Sequence, residues 1–309
     1  MGENRSWATE FVLLGFQLSP ETEVLLFWVF SLLYTFNLLA NGLIFVLICL
    51  DQRLHTPMYF FLSHLAIIDI TYASNNVPNM LANLMTQNRA ISFVPCIMQT
   101  FLYLVLAPTE CLILVAMSYD RYVAICHPLQ YTVIMSWTVC TVLATMCWTC
   151  AFVLALIHVL LLLRLPFCRS REVNHLFCEL LSVLKLACAD TWLNKMVVFA
   201  ASILILLAPL CLVLVSYMHI LRAILKIKSV EGRKKAFSTC SSHLCVVGLF
   251  FGISMVVYMV PDSGQEGDKN KILSLLYTLF NPVLNPLIYS LRNAQVKDAL
   301  CRMLQVRSR

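Results

Sequence analysis

Two carboxylates, Asp69 and Glu110, stand inside long apolar stretches of a 309-residue chain. No Lys or Arg lies at the same depth in those stretches. In surroundings of low dielectric, two such acids do not both ionise unless a cation joins them. Oxygen donors suit a hard cation. The pair therefore reads as a small-cation site, most simply sodium, with side-chain oxygens of Asn281 and Asn285 as further donors. The competing reading is a single retained proton, one carboxyl hydrogen-bonding the other.

A second charged cluster, Asp120-Arg121, closes the third apolar stretch and is flanked by Tyr119 and Tyr122. A charged pair where a spanning helix meets water marks either function or an ordinary solvated helix end. A third cluster is His175-Leu176-Phe177-Cys178-Glu179. Its His, Cys and Glu are ligand types for copper or zinc, but only if Cys178 keeps its thiolate. A buried loop histidine is the plainer reading. The chain has no His-Glu-x-x-His, no phosphate loop and no nucleophile–base pair, so no enzyme is expected.

The elements that must position these groups follow from composition. Hydrophobic residues make up 60% of the chain and charged residues 12%, with a mean hydropathy of +0.81. The natural solvent for that surface is lipid. A membrane helix needs about 20 apolar residues. Seven runs qualify: Val24–Leu50, Met58–Leu84, Ile97–Cys126, Trp137–Leu163, Leu193–Ile220, Ala236–Val260 and Ile272–Leu291. The expected architecture is an all-α seven-transmembrane helix bundle with a short amphipathic C-terminal helix. It divides into an outer N-terminus (1–23), the bundle (24–291) and an inner tail (292–309).

Met1–Glu23 lacks the apolar core of a cleavable signal peptide, and Asn4-Arg5-Ser6 is a glycosylation acceptor. The loop after the fifth run carries Arg222, Lys226, Lys228, Arg233, Lys234 and Lys235, and the tail adds Arg292, Lys297, Arg302, Arg307 and Arg309. The positive-inside rule puts both in the cytoplasm and the N-terminus outside. The net charge of +6 thus reads as topology and attraction to anionic lipid, not as nucleic-acid binding.

Within the third run, Tyr103, Ala107, Glu110, Leu114, Met117 and Arg121 share one helical face. From Tyr103 to Arg121 is about 27 Å. One face thus connects an outer cavity, a buried acid and the inner charged pair. Pro108 and Pro209 interrupt the backbone ladder of their helices. Of the 14 cysteines, Cys96, Cys168, Cys178 and Cys188 lie on the outer side, and four cysteines allow three pairings.

Four long strings carry a resemblance: Leu54–Leu62 (LHTPMYFFL), Met117–Cys126 (MSYDRYVAIC), Lys235–Leu244 (KAFSTCSSHL) and Pro282–Asn293 (PVLNPLIYSLRN). Together they resemble the odorant receptors of class II, within the rhodopsin-like G-protein-coupled receptors. Phe251 stands where the family usually has Tyr. The resemblance implies the pairs Cys96–Cys178 and Cys168–Cys188. It implies a switch of Asp120, Arg121, Tyr217, Asn285 and Tyr289, with Arg121 holding Asp120 at rest. It implies sodium at Asp69, a plasma-membrane location, and coupling to a stimulatory olfactory-type G protein that raises cyclic AMP.

The expected odorant site lies among the third, fifth, sixth and seventh helices. Helical spacing at one depth selects Tyr103, Leu104 and Ala107, then Val198, Ser202 and Ile205, then Phe251, Ser254, Met255 and Tyr258, and Thr278. This lining is apolar with a few hydroxyls and no charge, which fits a neutral ketone, aldehyde or alcohol. Two other readings remain at this point: a transporter or channel using Asp69 and Glu110, and a receptor of the same fold for a non-odorant ligand.

Overall fold

A computed structural model describes residues 10–86, 89–168, 171–259, 267–290 and 294–307. Its first helices are α1 (Pro20–Leu50), α2 (Pro57–Met85), α3 (Phe93–Cys126) and α4 (Trp137–Leu163). α5 is continuous over Trp192–Lys226 and α6 over Val230–Met259. α7 comprises Gly267–Leu275, a π-helical turn Leu276–Phe280, and Asn281–Ser290. α8 is Ala294–Arg307. Pro20 and Pro57 sit in the first turns of α1 and α2, where a missing N–H costs nothing.

Among the described residues, six helices are apolar and long enough to cross a membrane. α2 is the seventh by length, at 29 residues, but carries Asp69, Asn75, Asn76 and Asn79. It faces α1, α3 and α7, so those polar groups meet protein rather than lipid. Outward-facing apolar side chains such as Trp28, Leu32, Leu39, Met146, Leu204 and Leu225 form the lipid-facing surface. α3 is the central helix, packed against α2, α4, α5 and α6.

The helices are not bounded by the apolar runs. α5 continues to Lys226 and α6 begins at Val230, each six residues past the expected limit. Arg222, Lys226, Arg233 and Lys234 therefore lie on helices rather than in a loop. Hydropathy marks where lipid ends, whereas good helix formers carry the backbone further.

At the disulfide end, a small sheet has the order β2-β1-β3, with β1 Glu10–Leu13, β2 Ala90–Ser92 and β3 Glu172–Val173. β1 pairs antiparallel with β2 (Phe11↔Ile91) and parallel with β3 (Val12↔Glu172). Gly15 then turns the chain with φ 61°, in the left-handed region open to glycine. Phe11 and Leu13 are buried against Phe167 and Val173. The expectation of an all-helical fold omitted this cap.

At the other end, α8 lies along the bundle. Arg302 donates to the Asp51 carboxylate at 2.6 Å, and the Tyr59 hydroxyl donates to Gln295 at 2.8 Å. Val296 and Ala299 are buried on its inner face.

Candidate ligand cavity and switch network

A cavity lies between α3, α4, α5, α6 and α7. The space open to the centre of a water-sized sphere is about 90 Å³. One such sphere needs about 10–15 Å³, so the cavity holds a small organic molecule. α3 contributes Tyr103, Leu104, Ala107, Pro108 and Cys111. α5 contributes Val198, Ala201, Ser202, Ile205 and Leu206, and α6 contributes Phe250 and Ser254. Ser274 and Tyr277 close it from α7, and Leu180 of the long loop forms its roof.

Seven of the expected ligand residues line this space: Tyr103, Leu104, Ala107, Val198, Ser202, Ile205 and Ser254. Phe251, Met255 and Thr278 do not. Phe251 packs against Phe250 in the helix core, and Thr278 is buried. A helical face a full 100° per residue around is enough to turn a side chain away from the cavity. The Tyr258 side chain lies outside the described residues, as do the Tyr289 side chain and Asn4. Spacing missed the α4 wall of Leu154, Ala155 and His158.

Prolines build part of the wall. Pro209 has no N–H to give to the Ile205 carbonyl four residues back, and a π turn, Ile203–Leu207, precedes it. The Cys111 thiol of α3 donates to that carbonyl at 2.8 Å. Pro286 likewise frees the Pro282 carbonyl, which accepts from the Asn41 amide of α1 at 3.0 Å. α3, by contrast, runs on through Pro108 as one helix.

The long loop is pinned over the cavity. Cys96 and Cys178 are bonded, as are Cys168 and Cys188, with Cα separations of 5.4 and 5.8 Å. The Cys178 N–H donates to Gln99 at 2.8 Å and its carbonyl accepts from Thr100 at 3.1 Å. With Cys178 in a disulfide, the loop cluster has lost its thiolate, and no group of three or more metal-ligating side chains occurs among the described residues. His175 Nδ1 instead donates to the Phe177 carbonyl at 3.1 Å. Its Nε2 is then free to accept from the Ser274 hydroxyl (3.2 Å) and the Glu179 carboxyl (3.3 Å). Burial holds the His175 imidazole down at about 4 and lifts the Glu179 carboxyl to about 7.

Below the cavity, Asp69 and Glu110 are brought together by α7. The Asn281 amide donates to Glu110 at 2.7 Å and the Tyr277 hydroxyl at 3.2 Å. The Asn285 amide spans both acids, at 3.0 Å from Asp69 and 3.4 Å from Glu110. Tyr277, Asn281 and Asn285 follow one another at four-residue spacing, and the first begins inside the π turn. The amide groups thus meet the acids through nitrogen. The buried Asn285 Oδ1 has no hydrogen-bond partner, so it is one neutral oxygen beside two carboxylates, a donor set that fits sodium.

Nearer α8, two further motifs meet. The Tyr217 hydroxyl of α5 lies 2.6 Å from His243 Nδ1, the histidine of the Lys235–Leu244 string, with the rings stacked at 18°. Asp120 departs from expectation. Among the described residues it makes no ion pair with Arg121. Its carboxylate accepts from the Tyr131 hydroxyl at 2.7 Å, from the short helix Tyr131–Ile134. Neighbours on a helix point about 100° apart, so adjacent charges do not readily pair. Arg121 is half-buried beside them.

Comparisons with known proteins agree with this arrangement. A family model described as "Olfactory receptor" matches residues 30–307. Human olfactory receptor 2A2 is 70% identical over 99% of this chain and 96% of its own length. Human olfactory receptor 2A5 is 69% identical over 98% of each chain, and mouse olfactory receptor 2A7 is 60% identical over 99% of this chain and 98% of its own. These are receptors rather than enzymes, and the bundle makes this chain a multi-pass membrane protein. The chain belongs to the olfactory receptor family, as a class II odorant receptor within the rhodopsin-like G-protein-coupled receptors.

Proposed function

We propose that this odorant receptor takes a small neutral volatile molecule into the cavity beneath Leu180 and signals through its α8 end. There it engages a stimulatory olfactory-type G protein and raises cyclic AMP. The receptor acts at the plasma membrane with its N-terminus outside. The observation that carries this reading is the continuity of one face of α3. Tyr103 and Ala107 line the cavity, Glu110 joins the α7 network, and Leu114 and Met117 lead to Arg121. A ligand that binds one arrangement of α3, α5 and α6 more tightly shifts the population at the far end.

The ligand residues of this reading are Tyr103, Leu104, Ala107, Val198, Ser202, Ile205 and Ser254. The switch residues are Asp120, Arg121, Tyr217, Asn285 and Tyr289. Asp69 and Glu110 hold a sodium ion, with Asn285 turning its oxygen toward it. No covalent cofactor enters the reading. Apolar burial supplies most of the affinity, and the polar groups set orientation.

The test is an odorant panel applied to cells that display the receptor, with cyclic AMP as readout. A dose-dependent rise, absent from cells lacking the receptor and unaccompanied by ligand flux, is expected. Ligand or ion flux without cyclic AMP would replace this reading with a transporter or channel.

A further inference from the structure

His158 of α4 stands on the cavity wall and is only 7% exposed. Its Nδ1 lies 2.7 Å from the Leu154 carbonyl, one turn back on the same helix. A carbonyl only accepts, so Nδ1 must carry the ring proton. In the neutral imidazole Nε2 is then a bare lone pair. Among the described residues Nε2 makes no hydrogen bond, and it is not sealed within the protein. His158 is one of the residues that line the cavity, and the geometry points to Nε2 as the atom it offers there.

The other polar groups of the wall have mostly given their protons away. The Ser202 hydroxyl donates to the Val198 carbonyl at 2.8 Å, the Cys111 thiol to the Ile205 carbonyl, and the Tyr277 hydroxyl to Glu110. What these groups still offer a ligand is acceptor capacity. The Ser274 hydroxyl is engaged by His175, and Ser254 carries a hydroxyl that can donate or accept and so does not discriminate. The wall is thus biased toward acceptors, and its one imidazole acceptor is aligned before any ligand arrives.

Resting on the reading of this cavity as the odorant site, we propose that it selects hydrogen-bond donors: the preferred ligand is an alcohol or phenol whose hydroxyl donates to His158 Nε2. A ketone, aldehyde or ether of the same skeleton brings only acceptors to that lone pair and leaves it unpaired, which is the situation in which buried polar groups discriminate most strongly.

The experiment uses matched ligands of one carbon skeleton: a primary alcohol, its methyl ether and its aldehyde. Binding is measured as thermal stabilisation of the purified receptor, and signalling as cyclic AMP in cells. The alcohol should bind about tenfold or more tightly than the ether, the effect of one hydrogen bond. His158→Phe, which keeps a ring in the wall, should bring that ratio close to one at unchanged surface expression. His158→Gln, whose amide brings both an acceptor and a donor, should keep alcohol binding and improve the aldehyde. Ether or aldehyde binding as tight as alcohol binding in the parent would overturn the proposal. So would an alcohol preference that persists in His158→Phe. Alcohol-selective, His158-dependent binding without any cyclic AMP response would instead leave this inference standing and remove the signalling assignment.

Discussion

The Tyr217 hydroxyl and His243 Nδ1 lie 2.6 Å apart, tying α5 to α6 near the end that carries α8. Both residues come from strings that are separate in the sequence, Ser216-Tyr217 and Lys235–Leu244. If the bond is a unit, its two halves should not contribute independently. Tyr217→Phe and His243→Phe should each lower stability by about 1–3 kcal/mol, and the double variant should cost clearly less than their sum. Thermal unfolding of the four purified proteins checks this, and strictly additive losses would refute the coupling.

Arg121 is not consumed by an ion pair with Asp120, which Tyr131 occupies. Arg121→Ala is therefore expected to fold and reach the surface while losing the cyclic AMP response at least tenfold. Tyr131→Phe should leave the Asp120 carboxylate short of a partner and reduce stability by about 1–3 kcal/mol. Normal signalling by a surface-displayed Arg121→Ala receptor would remove Arg121 from the switch.

The shared acid site predicts a sodium dependence. Sodium should raise the melting temperature of the purified receptor more than equimolar choline does, because a ligand bound only by the folded form stabilises it. Glu110→Gln should reduce that increment, and Asp69→Asn should abolish most of it. Equal increments in parent and both variants would show that the acids manage without the ion.

The His175–Glu179 pair predicts a pH profile. Between pH 4.5 and 6.5 the unfolded pair holds one proton, on His175, and the folded pair also holds one, on Glu179. The opposing slopes then cancel while the two costs add to a constant, so stability has no pH dependence from this pair in that range. Separating them reveals each limb. Glu179→Gln leaves the depressed His175, so stability is full above pH 6.5 and is lost as pH falls through about 4. His175→Phe leaves the raised Glu179, so stability is full below pH 4.5 and is lost as pH rises through about 7. Each limb amounts to about 3 kcal/mol. Unfolding midpoints across pH would show opposite slopes in the two variants, and flat profiles in both would sink the argument.

The Cys96–Cys178 bond closes a separation of 82 residues. Cys178→Ser should destabilise the receptor by about 4 kcal/mol and reduce its surface display. Near-parental display and stability would mean that the Gln99 and Thr100 hydrogen bonds hold the loop unaided.

The seven-helix plan was legible because each spanning helix must satisfy its backbone internally and show an apolar surface to lipid. Helix ends were less legible: Arg222 and Arg233 sit beyond the apolar runs yet within helices. The disulfide partners came from the resemblance, since four cysteines alone leave three pairings. On α3 and α5 the cavity residues followed helical spacing. On α6 and α7 a core position and a cavity position differ by one residue, and Phe251 and Thr278 fell on the wrong side. His158 gave no periodic signal, being a lone histidine in the apolar run Trp137–Leu163. Its spacing to Leu154 was visible, but the cavity beside it was not. The strands of the cap are two to four residues long, too short for alternation to register.

That cap also sets an order of events in biosynthesis. Val12 of β1 pairs with Glu172 of β3, across all of the first four helices. β1 leaves the ribosome first, yet its last neighbour is synthesised only after α4. Until then one edge of β1 stays open, and an open strand edge is a template for unwanted pairing. Completion of the cap thus requires that more than half of the receptor has been made. A nascent chain arrested before residue 172 would keep that edge without its partner strand.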